Sequence, residues 1–118
     1  LRALKFFPLK FFWGKAMFIE NIINKTVSSE LLEGTEINDS TTGLEGDNTL
    51  LGHYGNDNLN GGQGDDQLFG ETGDDTLVGG AGADLLDAGG NNASGDTASF
   101  KGSDAAVTIS LTDGTASG

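Results

Sequence analysis

From Gly43 to Asp87 a leucine returns at every ninth residue, at Leu50, Leu59, Leu68, Leu77 and Leu86, and most of what lies between is polar or glycine. Set on that spacing, the segment reads GLEGDNTLL, GHYGNDNLN, GGQGDDQLF, GETGDDTLV and GGAGADLLD, with leucine in the eighth place of every unit. Nine residues cannot enclose a core. The pattern therefore predicts a stacked solenoid, in which each unit makes one structural step and buries its leucine against its neighbours. Each unit divides into a polar turn over places one to six and a very short strand with one buried side chain.

The turn places are as regular as the leucines. Glycine holds the first place at Gly43, Gly52, Gly61, Gly70 and Gly79, and the fourth at Gly46, Gly55, Gly64, Gly73 and Gly82; Gly62 and Gly80 add a second-place glycine in two units. The sixth place is always a carboxylate or amide: Asn48, Asp57, Asp66, Asp75 and Asp84. Glycine at places one and four lets the backbone take φ > 0 and turn carbonyl oxygens inward, where the sixth-place side chain closes the site.

The period fades at both ends. GTEINDSTT, residues 34–42, is a degenerate unit with Asp39 in the sixth place, Ile37 for the second turn glycine and Thr41 for the leucine. Residues 88–99 read as a last unit lengthened by three, because Asp84 and Asp96 are twelve apart. The roll is thus expected over 34–99. Residues 18–33 approach a helical period in places, which fits either a short amphipathic helix or a strand capping the solenoid. The first 17 residues hold four of the six basic residues, with aromatic residues between them. An upstream extension before a natural start at Met17 is the favoured reading; a membrane-surface anchor and a structural role are the others. After Gly102 the period is lost, and Ala106–Leu111 alternates as an ordinary strand. Ending in a turn after that strand, residues 100–118 are expected to be a truncated extension.

Composition changes the picture by implicating a cation. With 20 glycines among 118 residues and only 36% hydrophobic types, the core is thin and stability needs another source. Thirteen of the 18 acidic residues lie between Glu36 and Asp96, and no Lys or Arg stands between Lys25 and Lys101. A bound cation is the simplest relief of that repulsion. A net charge of −12 argues against nucleic acid, and no run of 18 apolar residues exists to cross a membrane. Without cysteine, neither disulfides nor thiolate metal sites can form. Calcium takes six to eight oxygens from carboxylates, amides and carbonyls, all of which the repeat supplies. Magnesium demands a stricter octahedron, and zinc would find only His53 as a nitrogen ligand.

On these residues the chain resembles the RTX, or haemolysin-type, calcium-binding repeat family, whose nonapeptide is G-G-x-G-x-D-x-U-x. The resemblance implies an all-β fold, a right-handed parallel β-roll in which two units make one coil and residues 18 apart stack. It also implies several Ca2+ ions between stacked coils, held by the sixth-place side chains and turn carbonyls. The pairs would be Asp39 with Asp57, Asn48 with Asp66, Asp57 with Asp75 and Asp66 with Asp84. The insertion leaves Asp75 with Asp96 open, and Asn48 is expected to make a weaker site. Leu50, Leu68 and Leu86 would line one inner face and Leu59 and Leu77 the other, with Leu51 and Phe69 outward.

No H-E-x-x-H, G-x-S-x-G, Walker-type or complete EF-hand sequence is present, and His53 reads as a surface residue. The expected function is non-enzymatic calcium binding by a bacterial secreted module that folds when it meets extracellular calcium. Alternatives are a non-catalytic part of a larger secreted protease, lipase or alginate epimerase, or a part of an adhesin. A protein or polysaccharide partner is not readable from the sequence.

Overall fold

The computed structural model describes residues 2–5, 21–24, 29–90, 95–111 and 114–118. Its strands are β1 (Arg2–Lys5), β2 (Asn21–Asn24), β3 (Glu30–Glu33), β4 (Asp39–Glu45), β5 (Thr49–Tyr54), β6 (Asn58–Gln63), β7 (Gln67–Thr72), β8 (Thr76–Ala81), β9 (Leu85–Asp87), β10 (Asp96–Ser99), β11 (Thr108–Ser110) and β12 (Gly114–Ser117). Among the described residues there is no helix. Odd strands form one six-stranded sheet and even strands another, each in chain order along the stack. Every pairing between them is parallel. Successive strands thus alternate between sheets, and two nonapeptides complete one coil. This is the parallel β-roll expected from the repeat.

The register follows from the 18-residue coil. Leu50 pairs with Leu68 and Leu68 with Leu86 on one sheet, and Leu59 pairs with Leu77 on the other. All five are fully buried, and Leu32 and Ala98 extend the two rows at opposite ends. A buried leucine contributes about 1.5–3 kcal/mol, so a core one side chain thick gains only a few such increments per coil. Leu51 and Phe69 stand side by side on the outer face of their sheet, each half-buried.

The strands are longer than a single buried position suggests. From β5 to β8 each runs from the seventh place of one unit through the third place of the next. First-place glycines therefore lie inside strands, and the tight turn is confined to places four to six. There Gly46, Gly55, Gly64, Gly73 and Gly82 take φ of 95–147°. A left-handed backbone is likewise found at the second place, in Leu44, His53 and Glu71. The first-place glycines are outside that region, so their requirement is for space and not for φ.

The stack runs below residue 34. Asn21 and Ile23 pair with Asp39 and Thr41, and Leu31 and Leu32 pair with Thr49 and Leu50, again 18 residues apart. These segments are strands, and the helical alternative does not form there; Phe18–Glu20 and Lys25–Ser28 lie outside the described residues. The same holds for most of residues 1–17, of which only β1 is described, paired with β3. At the upper end the predicted strand Ala106–Leu111 is reduced to three residues of β11, where Ile109 pairs with Leu86. β12 then restores the 18-residue spacing on β10, with Gly114 opposite Asp96.

Thr41 is the one polar side chain in the rows of eighth-place residues described. It is fully buried, and its hydroxyl has no hydrogen-bond partner. An unsatisfied buried hydroxyl costs about 1–3 kcal/mol, so Thr41→Val, which keeps the shape and removes the hydroxyl, is expected to stabilise the roll by that order. Urea unfolding in saturating calcium measures this; an unchanged midpoint would show that the hydroxyl finds a partner in solution.

Candidate metal centre

The sixth-place residues are charged or polar and yet among the most buried in the chain. Asp39, Asn48, Asp57, Asp66, Asp75, Asp84 and Asp96 are each 1–3% exposed. Each follows the tight turn and opens the next strand, so its side chain points between the sheets at their margin. One oxygen of each is used to clip coils together. The N–H of Asp39 donates to Asp57 Oδ1 at 2.8 Å, Asn48 to Asp66 at 2.7 Å, Asp57 to Asp75 at 2.8 Å and Asp66 to Asp84 at 3.0 Å. Asp75 donates to Asp96 at 2.9 Å. All four stacked pairs read from the repeat are brought together, and Asp75 with Asp96, 21 residues apart, joins them.

The second oxygen is left over. Oδ2 of Asp57, Asp66, Asp75, Asp84 and Asp96 is buried without a hydrogen-bond partner. Its surroundings are visible from the glycines. A Cβ added to Gly61 would collide with Asp66 Oδ2 and lie 2.7 Å from the carbonyl oxygen of Gly79. The same construction at Gly52 meets Asp57 Oδ2 and the Gly70 carbonyl, and at Gly70 it meets Asp75 Oδ2 and the Ala88 carbonyl. A carboxylate oxygen and a carbonyl of the next coil thus converge over each of these three glycines. Gly79 faces the Asp84 carboxylate, through Oδ2. Acceptors facing acceptors in a buried cradle repel unless a cation lies between them.

Electrostatics agree. Burial pushes the Asp57 carboxyl from its ordinary 3.8 up to about 7, and stacked Asp75 and Asp39 add to the rise against the Asp39 N–H that opposes it. Asp66 and Asp75 are pushed up to about 6, again chiefly by burial, and Asp84 is raised for the same reason.

The lower end is built differently. Asp39 Oδ2 accepts from the Thr35 N–H and lies 3.1 Å from the Thr35 hydroxyl, so donors reach it from within the chain. Gly34, in the first place of that unit, faces the same oxygen and the Gly52 carbonyl. Gly43 instead faces the amide nitrogen of Asn48, at 2.8 Å, and the carbonyl of Gly61. Fourth-place Gly55, Gly64, Gly73 and Gly82 and second-place Gly62 and Gly80 stack over backbone carbonyls of the preceding coil, and so shape the turn from a step away.

Two sets of residues were not legible as part of the site. Ala88 supplies a first-place carbonyl although it is not glycine. The fifth places form an outer clip of opposite sense. Asn38 Oδ1 accepts from the Asn56 N–H at 2.8 Å, Asp47 from Asp65 at 2.9 Å, Asn56 from Asp74 at 3.1 Å and Asp65 from Ala83 at 2.8 Å. The signal was present, since Asp or Asn recurs at the fifth place as it does at the sixth. Asp65, and Asp74 whose Oδ1 accepts the Gly95 N–H at 3.2 Å, are therefore structural acceptors. His53 lies on the surface, with Nδ1 3.1 Å from Glu71 Oε2.

The donor set is oxygen throughout, from one carboxylate and backbone carbonyls at each cradle. Among the described residues no three carboxylate or imidazole side chains converge, so carbonyls must provide much of any coordination. That suits a hard ion of flexible geometry, and calcium above magnesium. The fold and site together define a calcium-binding parallel β-roll. The sequence model of the RTX calcium-binding nonapeptide repeat matches in four copies, over residues 33–68 and 61–92, and the chain belongs to that family. No curated protein and no solved structure matches the chain.

Proposed function

We propose that this chain is a secreted, extracellular module of a bacterial protein whose roll forms when it binds several calcium ions. Asp57, Asp66, Asp75, Asp84 and Asp96 would hold them through Oδ2, with the carbonyls of Gly70, Gly79 and Ala88 opposite three of these carboxylates; Asp39 stands at the lower margin. One observation carries this reading: among the described residues five buried aspartates have an Oδ2 with no hydrogen-bond partner, in a fold whose core is one leucine thick. Metal-free, that burial is unfavourable, and the open chain is favoured. Calcium binds the folded state alone, because only stacking brings carboxylate and carbonyl together, so binding free energy becomes folding free energy. RTX repeats are typical of extracellular bacterial proteins, and calcium outside a cell is abundant enough to drive such a transition. In a calcium-poor cytoplasm the chain would stay open and suited to export.

Circular dichroism during a calcium titration of the chelator-treated protein tests this. β-Structure is expected to appear at about 0.1–1 mM calcium, the range of extracellular modules, with heat of binding measured over the same interval. A spectrum indifferent to calcium, with no heat of binding, would overturn the proposal.

A further inference from the structure

The sixth-place asparagine is oriented like the aspartates around it, with an amide nitrogen where they carry a second oxygen. Its Oδ1 accepts the N–H of Glu30, 18 residues earlier, at 3.1 Å. That bond fixes the amide orientation, because exchanging oxygen and nitrogen would set an NH2 group against an N–H. The Asn48 Nδ2 must then point into its own turn. There it donates to the carbonyl of Gly46 at 2.9 Å and to that of Glu45 at 3.3 Å. Nδ2 also takes the position over the first-place glycine, Gly43, that Oδ2 takes in the units with aspartate. Where Asp66 sets an acceptor against acceptors, Asn48 sets a donor against them.

We infer that Asn48 closes the Gly43–Asn48 turn with its own amide, which stands where calcium would otherwise be needed, so this turn takes no ion although it lies within the repeat. The inference rests on the calcium reading of the aspartate cradles and deepens it. The carbonyls of Glu45 and Gly46 in the turn are already engaged by the amide, the Gly61 carbonyl of the next coil faces an N–H donor where the other cradles hold a carboxylate oxygen, and the amide carries no charge to attract a cation. Asn48 also removes one carboxylate from a column that continues as Asp66 and Asp84 above it. Below Gly34 the chain has no first-place glycine, and in the coil beneath Asn48 the sixth and eighth places are held by Glu30 and Leu32. Asn48 therefore joins the glycine-poor lower coils to the calcium-dependent ones without itself depending on calcium.

The test is the number of calcium ions bound at saturation, by equilibrium dialysis and metal analysis, for the full chain and its Asn48→Asp and Asn48→Ala variants. Asn48→Asp is expected to bind one ion more than the parent, and Asn48→Ala the same number as the parent. A loss of one ion in Asn48→Ala, or no gain in Asn48→Asp, would overturn the inference while leaving calcium binding by the aspartates intact. Absence of calcium from all three proteins would overturn the underlying reading as well. A second measurement does not depend on the variants folding. In the calcium-loaded parent, the Asn48 side-chain amide protons are expected to exchange with solvent at least about tenfold more slowly than those of exposed Asn60, given two carbonyl acceptors in a buried turn. Exchange as fast as at Asn60 would overturn the internal closure.

Discussion

With calcium removed by a chelator effective in acid, the chain is expected to hold more β-structure at pH 5 than at pH 8. The sign follows from the carboxylates. Asp57 is pushed up to about 7 in the fold, Asp66 and Asp75 up to about 6, and Asp84 is also raised, against an ordinary 3.8 in the open chain. Between 3.8 and those values the fold holds protons that the open chain has released. Raising the pH through that window therefore favours the open chain, and the penalty is complete above about 7. Going from pH 5 to pH 8 should lower the folded-to-unfolded ratio by about tenfold or more for each of Asp57, Asp66 and Asp75, with Asp84 acting in the same direction. Far-ultraviolet circular dichroism in the metal-free state checks it. Greater structure at pH 8 would mean that these carboxylates are not buried as the stack places them.

The same linkage runs the other way with calcium present. A proton and a calcium ion compete for one carboxylate, so the affinity of the already formed roll for calcium should fall as pH falls below about 7, although protons then supply part of the stabilisation that folding needs. Acid thus weakens the response to calcium while supporting the metal-free fold. A merely acidic surface would show the second effect weakly and with strong dependence on salt, since exposed charges are screened.

How much of this was legible depended on where the nonapeptide advertises itself. Leucine at the eighth place and Asp at the sixth give the nine-residue step; that two steps make one coil, and with it the two sheets and four stacked pairs, is what the resemblance to the repeat family implied. The fifth pair, Asp75 with Asp96, needed the structure: the chain between Asp84 and Asp96 could loop out or shift the register, and the sequence does not choose. The lowest coils were hidden for a different reason. Residues 16–33 keep the period, with Asn21 and Glu30 in the sixth place and Ile23 and Leu32 in the eighth, but without a glycine. Bereft of the turn signal, their apolar residues imitate a helical period. First-place glycine was recognised for the wrong property. It is required because a carboxylate and a carbonyl occupy the space of its Cβ, whereas left-handed backbone is the demand at the fourth place. The orientation of Asn48 could not be read at all, since it is set by the N–H of a residue 18 positions away.

Asp75 combines both functions of a sixth-place residue, and two substitutions should separate them. Its Oδ1 accepts the buried N–H of Asp57, its Oδ2 faces the Gly70 and Ala88 cradle, and its own N–H donates to Asp96. Asp75→Ala removes both oxygens. The Asp57 N–H is then orphaned at about 1–3 kcal/mol, and the cradle loses its only carboxylate. Asp75→Asn keeps the acceptor for Asp57 and turns an NH2 group toward the carbonyls, as Asn48 does, while removing a charge that Asp96 and Asp74 both repel. Both variants are expected to bind one calcium ion fewer than the parent and to need more calcium to fold. Without calcium at pH 8 they should part: Asp75→Asn more stable than the parent, and Asp75→Ala less. The β-structure each protein holds in chelator, read by circular dichroism, beside calcium counting at saturation, resolves the two. Equal metal-free stabilities would show that the coil-to-coil bond to Oδ1 contributes nothing, and an unchanged calcium count would remove Asp75 from the ligands. If both results go as expected, the sixth place acts as a clip in every unit and as a calcium ligand only where its second atom is oxygen.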